Sequence, residues 1–239
     1  KSVKLSKSDF KLEKNYVTRI ISLGSASGAN QLAVTIVQIV MNNTLGHYGE
    51  LSQYGRDIPL ACVGVISKVN VIFSACIMGI SQSSQPIAGY NFGAENYNRV
   101  RETYKKAAVI VSTISVIAFI CFQVFPRQII SIFGNGDALY YEFALKYFHI
   151  FLFCTFLNGI QILSSNFFPS IGKGVLGIIT SLSRQVFIFL PLIIVFPLIW
   201  GIDGVLFAGP IADGAAALIA AALIITEMKK WPMTNKTIY

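Results

Sequence analysis

Apolar residues run along this chain in long blocks rather than in alternation. A helix needs about 20 largely apolar residues to cross about 30 Å of hydrocarbon. Six blocks are long enough: 17–45, 58–83, 104–126, 143–168, 175–199 and 203–226. The first is the least apolar. Residues that interrupt helices punctuate the intervals, among them Gly55 and Pro59, Pro86 and Gly93, Pro126 and Gly134, Pro169 and Gly172, and Gly201. A transmembrane β-barrel alternates apolar and polar positions over about 10 residues, and these blocks do not. The pattern predicts an all-α polytopic membrane protein, a six-transmembrane-helix bundle.

Two blocks carry polar residues at helical spacing. In the first, Ser27, Gln31, Thr35, Gln38 and Asn42 follow one another at intervals of 4, 4, 3 and 4, which is a single helical face. In the fourth, Cys154, Asn158, Gln161 and Ser165 are spaced 4, 3 and 4. Amides facing lipid are costly, so both faces must meet protein or a water-filled cavity. Bonds between helices would satisfy them, but two stripes of this length favour one common substrate cavity lined by Gln31, Thr35, Gln38, Asn42, Asn158, Gln161 and Ser165. Neither stripe contains a carboxylate.

Three charges fall inside blocks: Lys68, Arg184 and Asp213. Each costs at least about 2.5 kcal/mol at the bilayer centre unless paired or hydrated. Blocks five and six run antiparallel, so depth can be counted from one side. At 1.5 Å per residue, Arg184 lies roughly 15 Å deep, Asp213 roughly 20 Å and Lys68 roughly 21 Å. Arg184 and Asp213 are then within reach of each other as a structural or gating ion pair, with Lys68 able to compete for the same carboxylate. Pro191, Pro197 and Pro210 remove backbone donors from these blocks and favour kinks.

Composition agrees with the pattern. Hydrophobic residues make up 54% of the 239, charged residues only 13%, and the mean hydropathy is +0.63. A soluble domain carries about 25% charged residues, which excludes a water-soluble globular enzyme. The excess of 19 Lys and Arg over 11 Asp and Glu would suggest nucleic acid in a soluble protein. Here the basic residues cluster between apolar blocks and mark topology, with no nucleic-acid partner. Fourteen lie on the side holding both tails, whereas Arg56, Arg127 and Lys146 lie on the other. This bias puts both termini in the cytoplasm of a bacterial inner membrane, with 1–16 a basic linker, 17–226 the transmembrane unit and 227–239 a tail. Trp200 and Trp231 fall at opposite interfaces.

Cys62, Cys76, Cys121 and Cys154 stand singly in apolar runs, and His47 and His149 lack ligand-spaced neighbours. No metal or cofactor is expected. No nucleophile with its base, carboxylate pair or phosphate-cradling glycine loop is present, so an enzyme is not expected.

Residues 79–107, GISQSSQPIAGYNFGAENYNRVRETYKKA, resemble the loop after the second helix of each lobe in the multidrug and toxic compound extrusion (MATE) family. Residues 183–213, with Arg184, Pro191, Gly201, Gly204, Pro210 and Asp213 in place, resemble that family's last two helices. Residues 54–70, YGRDIPLACVGVISKVN, are similar to its MepA-like bacterial branch. The resemblance implies the second lobe of a twelve-helix transporter, a missing N-terminal lobe as partner, and export of cationic or amphipathic drugs in exchange for Na⁺ or H⁺. Family members that bind a cation in this lobe use acidic residues on the two stripe-bearing helices. Amides stand there instead, which assigns ion coupling to the missing lobe. A lipid-linked oligosaccharide flippase of the same superfamily and a non-transporting scaffold or truncated product are the alternatives.

Overall fold

The computed structural model describes residues 14–134 and 136–232, without the side chains of 15, 16 and 18–30, so Ser27, most of the 1–16 linker and the end of the tail lie outside the described residues. The chain forms α1 (Lys14–Glu50), α2 (Asp57–Gly93), α3 (Tyr97–Val124), α4 (Pro126–Phe133), α5 (Ala138–Phe151), α6 (Thr155–Ser170) and α7 (Gly174–Leu182). A π-helical segment, Ser183–Phe189, joins α7 to α8 (Leu190–Trp200), and α9 (Ile202–Lys229) follows. There is no strand among the described residues. α2, α3, the run Gly174–Trp200 and α9 are each long and apolar enough to cross a bilayer, and α5 and α6 are so only when taken together as one bent span. α1, at 37 residues, is the sixth long helix and carries a polar stripe.

Three boundaries differ from the sequence expectation. α2 does not stop before Pro86 but continues to Gly93. Proline removes one backbone bond from a helix, and here packing overrides that loss: Ala88 is fully buried and Asn91 donates to the Ile87 carbonyl at 2.8 Å. The fourth apolar block of the sequence, 143–168, is not one straight helix but bends by 55° between α5 and α6. α9 crosses at this point, where a Cβ on Gly209 would lie 2.6 Å from the Phe151 ring. Finally, α4 is a separate two-turn helix with Pro126 at its start and Ile130 buried beneath it.

α6 lies at the centre, packed against α2, α3, α7 and α9. Tyr104 of α3 meets Ser164 of α6 at 2.7 Å in the interior. The α8–α9 hairpin turns at Gly201, whose φ of +58° is a left-handed value open to glycine.

Side-chain clamps tie the crossings together at both ends. At one end, Arg101 donates through its two terminal nitrogens to the carbonyls of Trp231 (2.7 Å), Met228 (3.0 Å) and Pro232 (3.3 Å). Its guanidinium also sits 5.8 Å above the Trp231 ring. Trp231 is buried between Phe92 and Tyr97 rather than belting an interface. Beside it Glu227 bonds Lys173 of the α6–α7 turn, with Lys230 at 3.3 Å. At the other end Lys146 meets Asp203 at 2.7 Å and Tyr54 donates to Glu142 at 2.8 Å. Burial, then that bond to Glu142, holds the Tyr54 phenol above its ordinary value.

Arg101→Ala removes four charge-assisted bonds, the fourth to Asn98 Oδ1 at 3.1 Å, and a ring contact, interactions worth about 1–3 kcal/mol each at most. The thermal midpoint of the detergent-solubilised protein is expected to fall by several degrees, at about 2–4 °C per kcal/mol for a chain of this size. Arg101→Lys, which cannot fork across three carbonyls, should recover only part of it. An unshifted midpoint would show that the clamp contributes nothing.

Candidate functional site

The interior and the open face of the bundle divide the predicted polar residues between them. In the interior, Asp213 of α9 is 3% exposed. Arg184, in the first turn of the π-helical segment, donates through Nε to Asp213 Oδ1 at 2.6 Å. Asn158 of α6 donates to the other carboxylate oxygen at 3.0 Å. Three elements therefore converge on one carboxylate, and each of its oxygens has a donor. A buried anion in hydrocarbon requires that: a charge is retained there only when paired and hydrogen-bonded.

Gln161, one turn beyond Asn158, donates to the Thr180 carbonyl at 3.1 Å, and Ser183 Oγ reaches the same carbonyl at 2.9 Å. Thr180 lies where α-helical winding gives way to the π-helical segment, in which the Leu190 N–H bonds the Gln185 carbonyl five residues back. Changes of helical winding leave carbonyls in need of partners, and side chains inserted into the ladder supply them. Gln161 thus secures the turn that carries Arg184.

The other polar residues face outward. Gln31, Thr35, Gln38 and Asn42 are all exposed along α1. Thr35 donates to the Gln31 carbonyl at 3.0 Å and Gln38 to Asn42 at 3.1 Å. Gln38, Asn42 and Asn43 with Arg56, Gly64 and Ser67 line an open cleft of 540 Å³ between α1 and α2. Gln38 and Ser67 also line a narrower recess of 140 Å³, which runs inward to Asn70, Tyr147, Arg184 and Gln185. The Arg184 side chain is 17% exposed against 4% for that of Asp213, and Arg184 lines the recess whereas Asp213 does not.

Two expectations are thereby corrected. Asn158, Gln161 and Ser165 do not share a concavity with the α1 stripe. α6 is the central helix, so Asn158 and Gln161 are buried in bonds to α9 and α7, and Ser165 bonds the Ile162 carbonyl within its own helix at 3.2 Å. Lys68 does not compete for Asp213: its side chain is exposed on the outer face of α2. Depth along a helix fixes height but not azimuth, and Lys68 has the height of Asp213 on a different face. Ser67, Asn70 and Gln185 were not singled out from the sequence. The signal for them was present, since Ser67 and Asn70 stand three apart in an apolar block and Gln185 adjoins Arg184.

A sequence profile of the MatE family matches residues 26–195. The chain belongs to the MatE family. It is 24% identical over 236 residues to the multidrug export protein MepA of Staphylococcus aureus (strain bovine RF122 / ET3-1), covering 99% of this chain and 49% of that protein. It is similar in structure to the MATE multidrug transporter DinF-BH, with a TM-score of 0.78, 29% identity and coverage of 93% and 48%. A MOP superfamily transporter from Pyrococcus furiosus, whose binding pocket is described as reversed in polarity, shares the fold with a TM-score of 0.79, 17% identity and coverage of 95% and 51%. The chain spans about half the length of the relatives it matches. In this MatE chain, three elements hold the buried ion pair and two clefts open on the α1–α2 face.

Removing one partner of a buried pair leaves the other uncompensated and costs about 3–5 kcal/mol. Arg184→Gln and Asp213→Asn are each expected to lower the yield and thermal midpoint of the purified protein, and the double variant to recover a large part of the loss. A double variant as damaged as the sum of the singles would show that the two groups act independently.

Proposed function

We propose that this chain is one lobe of a two-lobe secondary transporter that exports amphipathic small molecules in exchange for Na⁺ or H⁺. The observation that carries this reading is the open α1–α2 face. It presents a cleft lined by Gln38, Asn42, Asn43 and Ser67 in a chain half the length of its relatives. Amides exposed to hydrocarbon are costly, so a second, N-terminal lobe would cover this face and turn the cleft into a central cavity. Neither cleft is lined by a carboxylate, and Asp213 is committed to Arg184 and Asn158. The group that exchanges Na⁺ or H⁺ accordingly belongs to the other lobe. For the same reason, amphipathic substrates fit this lining better than simple cations. Residues 17–226 form the lobe, 1–16 the linker to its partner and 227–239 the tail, in a bacterial cell membrane with both termini cytoplasmic. The basic cluster Arg99, Arg101, Lys105 and Lys106 at the start of α3 supports this orientation.

Expression of the full-length protein in bacteria stripped of their own efflux pumps should lower accumulation of fluorescent amphipathic dyes. Collapse of the Na⁺ or H⁺ gradient should restore accumulation, and Gln38→Leu should reduce export at least about threefold, as expected for loss of one neutral hydrogen bond of about 1 kcal/mol. Accumulation that ignores the protein across several unlike dyes would rule out the reading. Orientation has its own test. With the native cysteines replaced, Arg99→Cys should react with an impermeant maleimide only after the cells are opened; labelling of intact cells would invert the topology.

A further inference from the structure

We propose that the recess at Arg184 is an anion-selective subsite, which holds the carboxylate, sulfonate or phosphate head of an amphipathic ligand while the adjoining cleft takes its body. The inference rests on the export reading above and narrows its substrate class.

Arg184 is the one charged residue among the described residues that line the recess. Arg184 lines it and is 17% exposed, whereas its counter-ion Asp213 is nearly enclosed behind it. The bond through Nε uses one of the five N–H donors of a guanidinium, and the planar fork formed by the others matches an oxyanion. Asn70, Gln38 and Gln185 contribute side-chain amides to the same lining, and no carboxylate lines either the recess or the cleft beyond. The wide cleft carries a second cation, Arg56, on its wall. Arg56 is partly offset by Glu50 at 3.2 Å.

Size and polarity are graded in the same direction. The 140 Å³ recess suits a head group, and Val37, Met41, Phe151 and Phe189 supply apolar wall beside its polar residues. The 540 Å³ cleft is large enough for the remainder of a drug-sized molecule. Asp213 and Asn158 act as positioning residues: they hold the guanidinium at the recess and offset its charge when no ligand is bound. A cation entering the same recess would meet the positive end of the pair, with its attraction to Asp213 blocked by the arginine itself.

The test compares two fluorescent probes with the same dansyl group and undecyl chain, one ending in a carboxylate and the other in a trimethylammonium. The full-length protein is held in phosphatidylcholine nanodiscs. The carboxylate probe is expected to bind about tenfold more tightly than the ammonium, the scale of one charge-assisted bond. In Arg184→Gln/Asp213→Asn the ratio of the two affinities should fall towards one. Reading a ratio on one sample removes the effect of any loss of folded protein. Arg184→Lys, which keeps a partner for Asp213 but withdraws the fork, should weaken carboxylate binding about tenfold and serves where the double variant does not insert. Equal affinities for the two probes, preference for the ammonium, or a carboxylate affinity unchanged in Arg184→Lys would each overturn the proposal. Adding phosphatidylglycerol to the nanodiscs identifies the source of the anion. Competition with the probe assigns the subsite to a lipid head group, and its absence assigns it to a soluble amphiphile. Export assays on the same probes keep the two readings apart. Carboxylate binding without export sustains the subsite and defeats the transport reading, whereas gradient-driven export with no preference for the carboxylate does the reverse.

Discussion

The polar interior of this lobe is arranged around one buried carboxylate. Asp213 stands in the last crossing, among the alanines of α9, where an unpartnered charge would prevent the helix from lying in a bilayer. Two donors make the position tenable, and they come from different helices. The carboxylate therefore fixes the rotation of α9 against α6 and against the π-helical segment together. Lipid tails are as apolar as the side chains they replace, so burial gives membrane helices little reason to prefer one rotation over another. A directional contact between charges does.

Gln161 extends the same arrangement to the backbone. Its bond to Thr180 and that of Ser183 satisfy a carbonyl at the change of winding. Altered winding displaces the side chains that follow it from an α-helical course, and Arg184 is the first long one. The result is a residue that belongs to both polar sets: it is bonded to the interior through Nε and lines the recess on the open face. Pro191 and Pro197 follow within the next four turns of this crossing, and each withholds a backbone donor from its helical ladder.

Much of this was legible from residue order. Block length and punctuation located the crossings, because hydrocarbon thickness is a one-dimensional constraint on the chain. Arg184 and Asp213 could be matched by depth because blocks five and six are antiparallel neighbours joined at Gly201, which leaves few ways for them to miss. The α6 stripe was legible as a stripe but not as a destination. Helical spacing says that Asn158 and Gln161 share a face, and only the packing of α6 at the centre decides that the face looks inward. Lys68 was misplaced for the same reason, since its height was counted and its azimuth was not. The bend between α5 and α6 has no proline to announce it. It arises where α9 passes close to Phe151 at Gly209, a contact between residues 58 positions apart in sequence.

The two polar sets differ in kind, and the difference follows from what surrounds each. In the interior no water can solvate a charge, so the charged groups there are neutralised by contact and their remaining oxygens are hydrogen-bonded. The α1 stripe consists of Gln, Thr and Asn, groups with no net charge. An amide costs far less than an ion to withdraw from water when its partner is imperfect, and it can donate or accept as the occasion requires. A surface of amides can therefore meet water, another protein surface or several unlike ligands without a large penalty in any of these states. The arginine at the end of the recess is the exception, and it stands there without an uncompensated charge because its counter-ion lies behind it.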